Sequence, residues 1–144
     1  MRSLLHVTLL LVLAALPVCA GEGTATATLS ESRLTKRLSV AMTQSTNAWA
    51  SYATNISGRI LRAAVVADTG ATGPTNGYNV RVEDDAGINI FGGFGAALNS
   101  NVTSYVTENT AASNNLPIAV DGVLTIILTN AGPQNAATTH LWWQ

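Results

Sequence analysis

Cysteine is almost missing from this chain. Of 144 residues only Cys19 is a cysteine, so no disulfide can form within the chain and its fold stands on packing alone. Cys-ligated zinc is excluded on the same ground, because a structural zinc site draws on several ligands. Histidine is nearly as scarce, with only His6 and His140. Charge is scarce as well: Asp, Glu, Lys and Arg make up 10% of the chain, against about 25% in ordinary globular proteins. Lysine occurs once, as Lys36. No basic stripe exists to neutralise phosphates, so nucleic acid is not an expected partner. The surface must instead be built from Thr, Ser, Asn, Gly and Ala, which suits exported proteins and close-packed assemblies.

What the chain does have begins at its N-terminus. Arg2 is followed by a run from Leu4 to Leu16 that is apolar except for His6 and Thr8, then by Pro17 and the small-residue step Val18-Cys19-Ala20. A charged start, an apolar stretch of this length and an A-x-A-like step make a signal-peptide pattern. Cleavage after Ala20 would start the mature chain at Gly21 and remove the only cysteine, and with it any thiol chemistry. The apolar run is short for a membrane span, which needs about 20 residues, so no stable span is expected once it is removed. The alternatives are an uncleaved anchor, or a lipid-bearing Cys19, against which the bulk of Val18 argues. Without Arg2, six Lys and Arg face eight Asp and Glu, a net charge of about −2.

From residue 21 onward the hydrophobic period is close to two. Ala25, Ala27 and Leu29 alternate with Thr24, Thr26 and Thr28; Leu34, Leu38, Val40 and Met42 share a parity broken by Lys36. Tyr78, Val80 and Val82 alternate with Asn79, Arg81 and Glu83, and Leu124, Ile126 and Leu128 with Thr125, Ile127 and Thr129. Strict alternation marks strands with one wet face. The denser runs Ile60 to Ala67 and Val123 to Leu128 read as central strands, and Ala137 to Trp143 as a last one. Between them lie turn signals: Gly70 to Gly77, Asp84-Asp85-Ala86-Gly87 as a hairpin loop, Asp121-Gly122 as a tight turn, and Asn130 to Asn135. Asn47 to Thr54 and Ala96 to Thr110 read as loops. The expected fold is all-β: one β-sandwich or jelly-roll-like domain of about eight strands over residues 21–144, behind the signal-like segment 1–20.

Catalytic signatures are wanting. His140 has no Gly-x-Ser-x-Gly elbow to serve, and a hydrolase would need it beside both a Ser or Thr and an acid. Glu83, Asp84 and Asp85 lack the alternation and distal Glu of a calcium loop and read as a solvated hairpin tip. Asp68, Glu108 and Asp121 fall at expected strand ends or loops with nothing to pair them for glycoside hydrolysis. Gly92-Gly93-Phe94-Gly95 lacks the lysine and the context of a phosphate loop and reads as a bulge or wide turn. No cofactor and no metal are expected. The candidate binding residues are the aromatics Trp142, Trp143, Trp49 and Tyr52. Neighbours on a strand face opposite ways, so one of Trp142 and Trp143 should be buried and the other exposed, free to stack on a sugar or fill a partner's pocket. Asn55 and Asn101 head N-glycosylation sequons.

The stretch Gly58-Arg59-Ile60-Leu61-Arg62, then Gly73 through Gly87, and the late strand Gly122-Val123-Leu124-Thr125-Ile126-Ile127-Leu128-Thr129-Asn130-Ala131-Gly132 together resemble small β-rich structural proteins encoded among tailed-phage virion genes. Asn79 stands where such proteins often carry Asp. The resemblance implies a virion structural or accessory component with no catalytic residues. The expectation is therefore a non-enzymatic structural or surface assembly protein, a virion or decoration component, exported or extracellular. It would pair with itself or with other virion or surface proteins through Ala25 to Leu29 and Trp142-Trp143. The alternative is a secreted carbohydrate- or surface-binding module using the same exposed aromatics.

Overall fold

The computed structural model describes residues 11–12, 23–45, 49–92, 94–106 and 118–144. The cut step 18–20 and Glu108 lie outside them, as do residues 107–110 of the expected loop Ala96 to Thr110; the described part of that loop is not all loop, because Ser104–Val106 pairs with Ala63 to Val65 as a short strand. The protein is all-β. Its strands are β1 (Leu11–Val12), β2 (Thr24–Glu31), β3 (Lys36–Thr43), β4 (Trp49–Ala67), β5 (Asn79–Glu83), β6 (Ser104–Val106), β7 (Ile118–Thr129) and β8 (Ala136–Trp143), with one short 3-10 turn at Gly70–Thr72. Every pairing is antiparallel, in the order β1-β2-β3-β8-β4-β7-β5, and β6 is added to β4.

Six of these are full strands, rather than about eight, and they belong to one sheet. Two segments differ from the expected pattern. Trp49 to Thr54, expected as a loop, is the first part of the 19-residue β4, which runs without a break into Ile60 to Ala67. The second arm of the expected hairpin, Ile88 to Ile90, forms no strand: Asn89 bridges Glu83 alone and Ile88 is exposed. The hairpin tip itself is as expected. Asp84 Oδ1 accepts hydrogen bonds from the backbone N–H of Ala86 and Ile88 at 3.0 and 2.8 Å, as short acidic side chains do in turns.

The alternation in the sequence becomes the wall of one core. Leu38, Val40 and Met42 of β3, Val80 and Val82 of β5, Leu124, Ile126 and Leu128 of β7, and Ala137, Leu141 and Trp143 of β8 are all buried in a single cluster. Burying each Val, Leu or Ile contributes about 1.5–3 kcal/mol, so this face holds the sheet together. Leu34 falls outside the pattern. It sits at the tip of the β2–β3 turn, 81% exposed, because Ser32 closes that turn onto Thr35 through its backbone and its hydroxyl. Below the turn Glu31 and Lys36, opposite each other in register, form an ion pair of 3.4 Å.

β4 is shared. Its residues 49–60 pair with β7 on one edge, and its residues 60–67 pair with β8 on the other. The change of partner is made at an irregularity between Ile60 and Arg62. Gly58, just before it, has φ +139°, and Gly122 on β7 has φ +140°. Gly122 is therefore not in a turn, as Asp121-Gly122 suggests, but within β7, opposite Ile56. There its missing side chain lets the backbone take a conformation closed to other residues.

Candidate functional site

Two surfaces gather the residues that the sequence singles out. The first is the outward face of β8 and its neighbours. Register places Arg37 of β3, Trp142 of β8 and Arg62 of β4 in one cross-strand row, and Ser39, His140 and Ala64 in the next. Trp142 is half-buried, and Trp143, one residue on, is buried at 6% exposure. The Arg62 guanidinium lies 4.7 Å from the centre of the Trp142 ring, a cation–π contact. His140 tilts against the same ring at 5.7 Å. One face of Trp142 is thus already occupied by protein, which leaves less of it for a sugar.

His140 Nδ1 lies 2.8 Å from Ser39 Oγ. A hydroxyl beside an imidazole is the start of a nucleophile, but the third member is not here. Among the described residues no carboxylate is hydrogen-bonded to His140, and the charges that act on it are cations. Burial first, then the Arg37 and Arg62 guanidiniums, hold its pKa below the usual histidine value. A charge-relay site needs a carboxylate to stabilise the imidazolium, whereas these neighbours oppose it. Among the described residues no group of three or more His, Cys, Asp or Glu is placed to hold a metal.

The sign of that shift sets a pH dependence. With its folded-state pKa below the ordinary histidine value of 6.5, His140 takes up its proton more readily in the unfolded chain. Its contribution to stability is complete above pH 6.5 and is lost as the pH falls through that value towards the folded one. Melting temperature should therefore drop between pH 7.5 and pH 5, and His140→Gln should remove part of that drop. An unchanged drop in the variant would mean that His140 is not the titrating group.

The second surface is a slot between β2 and β4. Gly23 N–H donates to Trp49 O at 2.7 Å and ties the starts of the two strands together. Beyond that point they part around a slot of about 90 Å³ lined by Ala27 and Leu29 of β2, Leu38 of β3, Tyr52 and Ile56 of β4, and Trp143 of β8, with Thr54 and Asn55 adding polar atoms. Two edges border it. One belongs to β2, whose other edge is fully paired to β3 from Thr24 to Glu31. Among the described residues its free edge is paired only by Leu11 and Val12, opposite Leu29 and Thr28. The other belongs to β4, where residues 50–57 carry no ladder besides that to β7 among the described residues.

Of the four aromatics expected to bind, Tyr52 and Trp143 line the slot, Trp49 stands at the tied end, and Trp142 lies on the outward face of the sheet. They do not form one platform. Leu29, Leu38 and Ile56 also line the slot, and no motif marks them. For Leu29 and Leu38 the sequence signal is the alternation that marks several strands, and Ile56 carries none. The two sequons lie on exposed residues, Asn55 in β4 and Asn101 in a loop.

Among the acids, Asp68 lies just before the 3-10 turn. It accepts from Thr72 Oγ1 at 2.6 Å and from the Thr69 N–H at 2.9 Å, and these two bonds lower its pKa. Asp121, expected in a loop, lies inside β7 opposite Ser57. Gly92 and Gly95 belong to a turn-rich loop. No family model, curated protein or solved structure matches this chain.

Proposed function

We propose that this is a non-enzymatic structural or surface protein, exported or borne on a virion, that works by joining to other copies through the open edge of β2. The single observation that supports this most is that edge. β2 has eight residues, and among the described residues only Thr28 and Leu29 meet a strand on the free side. Exposed edges are usually blunted by lysine, proline or a bulge. The run Thr24-Ala25-Thr26-Ala27-Thr28-Leu29-Ser30 carries no charge and no proline. An apolar slot beside the edge gives an added strand something to cover.

The finer architecture follows the same reading. A sheet whose strands share one core, with a long strand changing partner half-way, is best understood as folded over itself into a β-sandwich. The sugar-binding reading rests on fewer features, since the aromatics are divided between two surfaces and the exposed one carries Arg62.

Assembly is testable in solution. Among the described residues every member of the core cluster lies at or after Ala27, so the chain beginning at Gly21 retains all of them. By sedimentation velocity it should associate as its concentration rises, and Thr26→Lys should abolish association without changing the melting temperature, because Thr26 is exposed. A chain that stays monomeric at every concentration rules the reading out.

A further inference from the structure

The strand that occupies the β2 edge comes from the segment that reads as a signal peptide. Leu11 and Val12 pair antiparallel with Leu29 and Thr28, and the expected cut after Ala20 falls between β1 and β2. We propose that β1 (Leu11–Val12) plugs the edge and holds the uncut chain monomeric, and that cutting after Ala20 releases the edge to the β2 of a second copy. The inference rests on the edge assembly proposed above and adds its partner and its control.

A two-residue ladder is weak by itself. While it is tethered through residues 13–23, however, it competes at an effective concentration on the order of millimolar. A second copy at ordinary concentrations loses to it. Cutting removes the tether, and the advantage with it.

A second copy of β2 fits the vacated edge on chemical grounds. In an antiparallel pair, directly opposed residues share a face. Pairing β2 with itself while keeping its inward Ala25, Ala27 and Leu29 on the core side centres the two-fold on a residue. Centring on Thr26 opposes Thr24 to Thr28, Ala25 to Ala27 and Thr26 to itself. No like charges meet in that register, because the only charged residue of β2 is Glu31, at its far end. The contact is isologous and closes as a dimer.

The test uses the full chain with a site-specific protease sequence inserted between Ala20 and Gly21. It also carries Cys19→Ser and Thr26→Cys, so that residue 26 holds the only thiol. Uncut protein should sediment as a monomer. After cutting and removal of the leader its mass should double, and mild oxidation should join the two copies through residue 26. A second uncut chain carrying Leu11→Pro and Val12→Pro keeps the segment but removes its N–H donors, and it should dimerise without being cut. If neither cut nor uncut protein associates, the edge reading fails, and this inference with it. If both associate equally, or if the proline chain stays monomeric while the cut chain dimerises, the edge reading stands and the plug is overturned.

Discussion

Replacing Gly58 with alanine is expected to lower the melting temperature by on the order of 10 °C, from a loss of about 3 kcal/mol. Two effects add. Gly58 has φ +139°, a region that side-chain-bearing residues avoid at a cost of about 1–3 kcal/mol. A Cβ placed on it would also lie 2.2 Å from the backbone oxygen of Gln144. That oxygen cannot turn aside cheaply, because it accepts the Arg59 N–H at 2.9 Å while the Gln144 N–H donates to Arg59 O at 3.2 Å. The methyl group would have to force apart the β4–β8 junction where β4 changes partner. Gly122→Ala is the internal comparison. Its φ is +140°, but an added Cβ meets only Asp85 Oδ2, at 3.5 Å, so it should cost only the conformational part, about 1–2 kcal/mol. Thermal melts of both variants decide the matter. Equal losses would show that the close approach to Gln144 contributes nothing.

Ile126→Ala is expected to cost about 2–5 kcal/mol, the range for emptying a packed site by three methyl or methylene groups. Ile127→Ala, one residue along, should cost less than about 1 kcal/mol. Ile126 is fully buried on β7, opposite Tyr52 of β4 and Val82 of β5. Ile127 is half-buried on the other face, opposite Ser51 and Arg81. The residues are chemically identical and adjacent, so the difference isolates which face of β7 looks into the core. Urea unfolding of the two variants measures it. A comparable loss from Ile127→Ala would mean that the outward face of β7 is covered as tightly as the inward one.

Strands whose pattern is strictly alternating were legible from residue order alone. β3, β5 and the second half of β7 bury the residues that their parity indicates, and β2 turns its indicated set inward with Ala27 buried, because a period of two leaves a strand one way to hide its apolar set. The turn at Asp84 was equally legible, since its chemistry is local. The first half of β4 was not. Trp49-Ala-Ser-Tyr-Ala-Thr-Asn is rich in small and polar residues with weak strand preference, and it is a strand because β7 pairs with it throughout. Asp121-Gly122 carries a turn signature that tertiary pairing overrides. For the candidate site, the sequence could name Tyr52 and Trp143 as aromatics but could not bring them together. Their meeting with Leu29 and Ile56 depends on which strands lie next to each other, and β1 pairs in a segment whose composition reads as a leader.

The sharing of β4 also governs when the chain can fold. Its two long partners, β7 and β8, begin at Ile118 and Ala136, more than fifty residues after β4 ends. A chain still being made has its longest strand complete well before either long partner emerges, and until then only the short β6 among the described strands can pair with it. Non-local pairing of this kind is slow, because a long loop must be closed before any contact rewards it. The order of the strands therefore leaves the joining of β7 and β8 to β4 until the end of synthesis, long after the local β2–β3 hairpin can form.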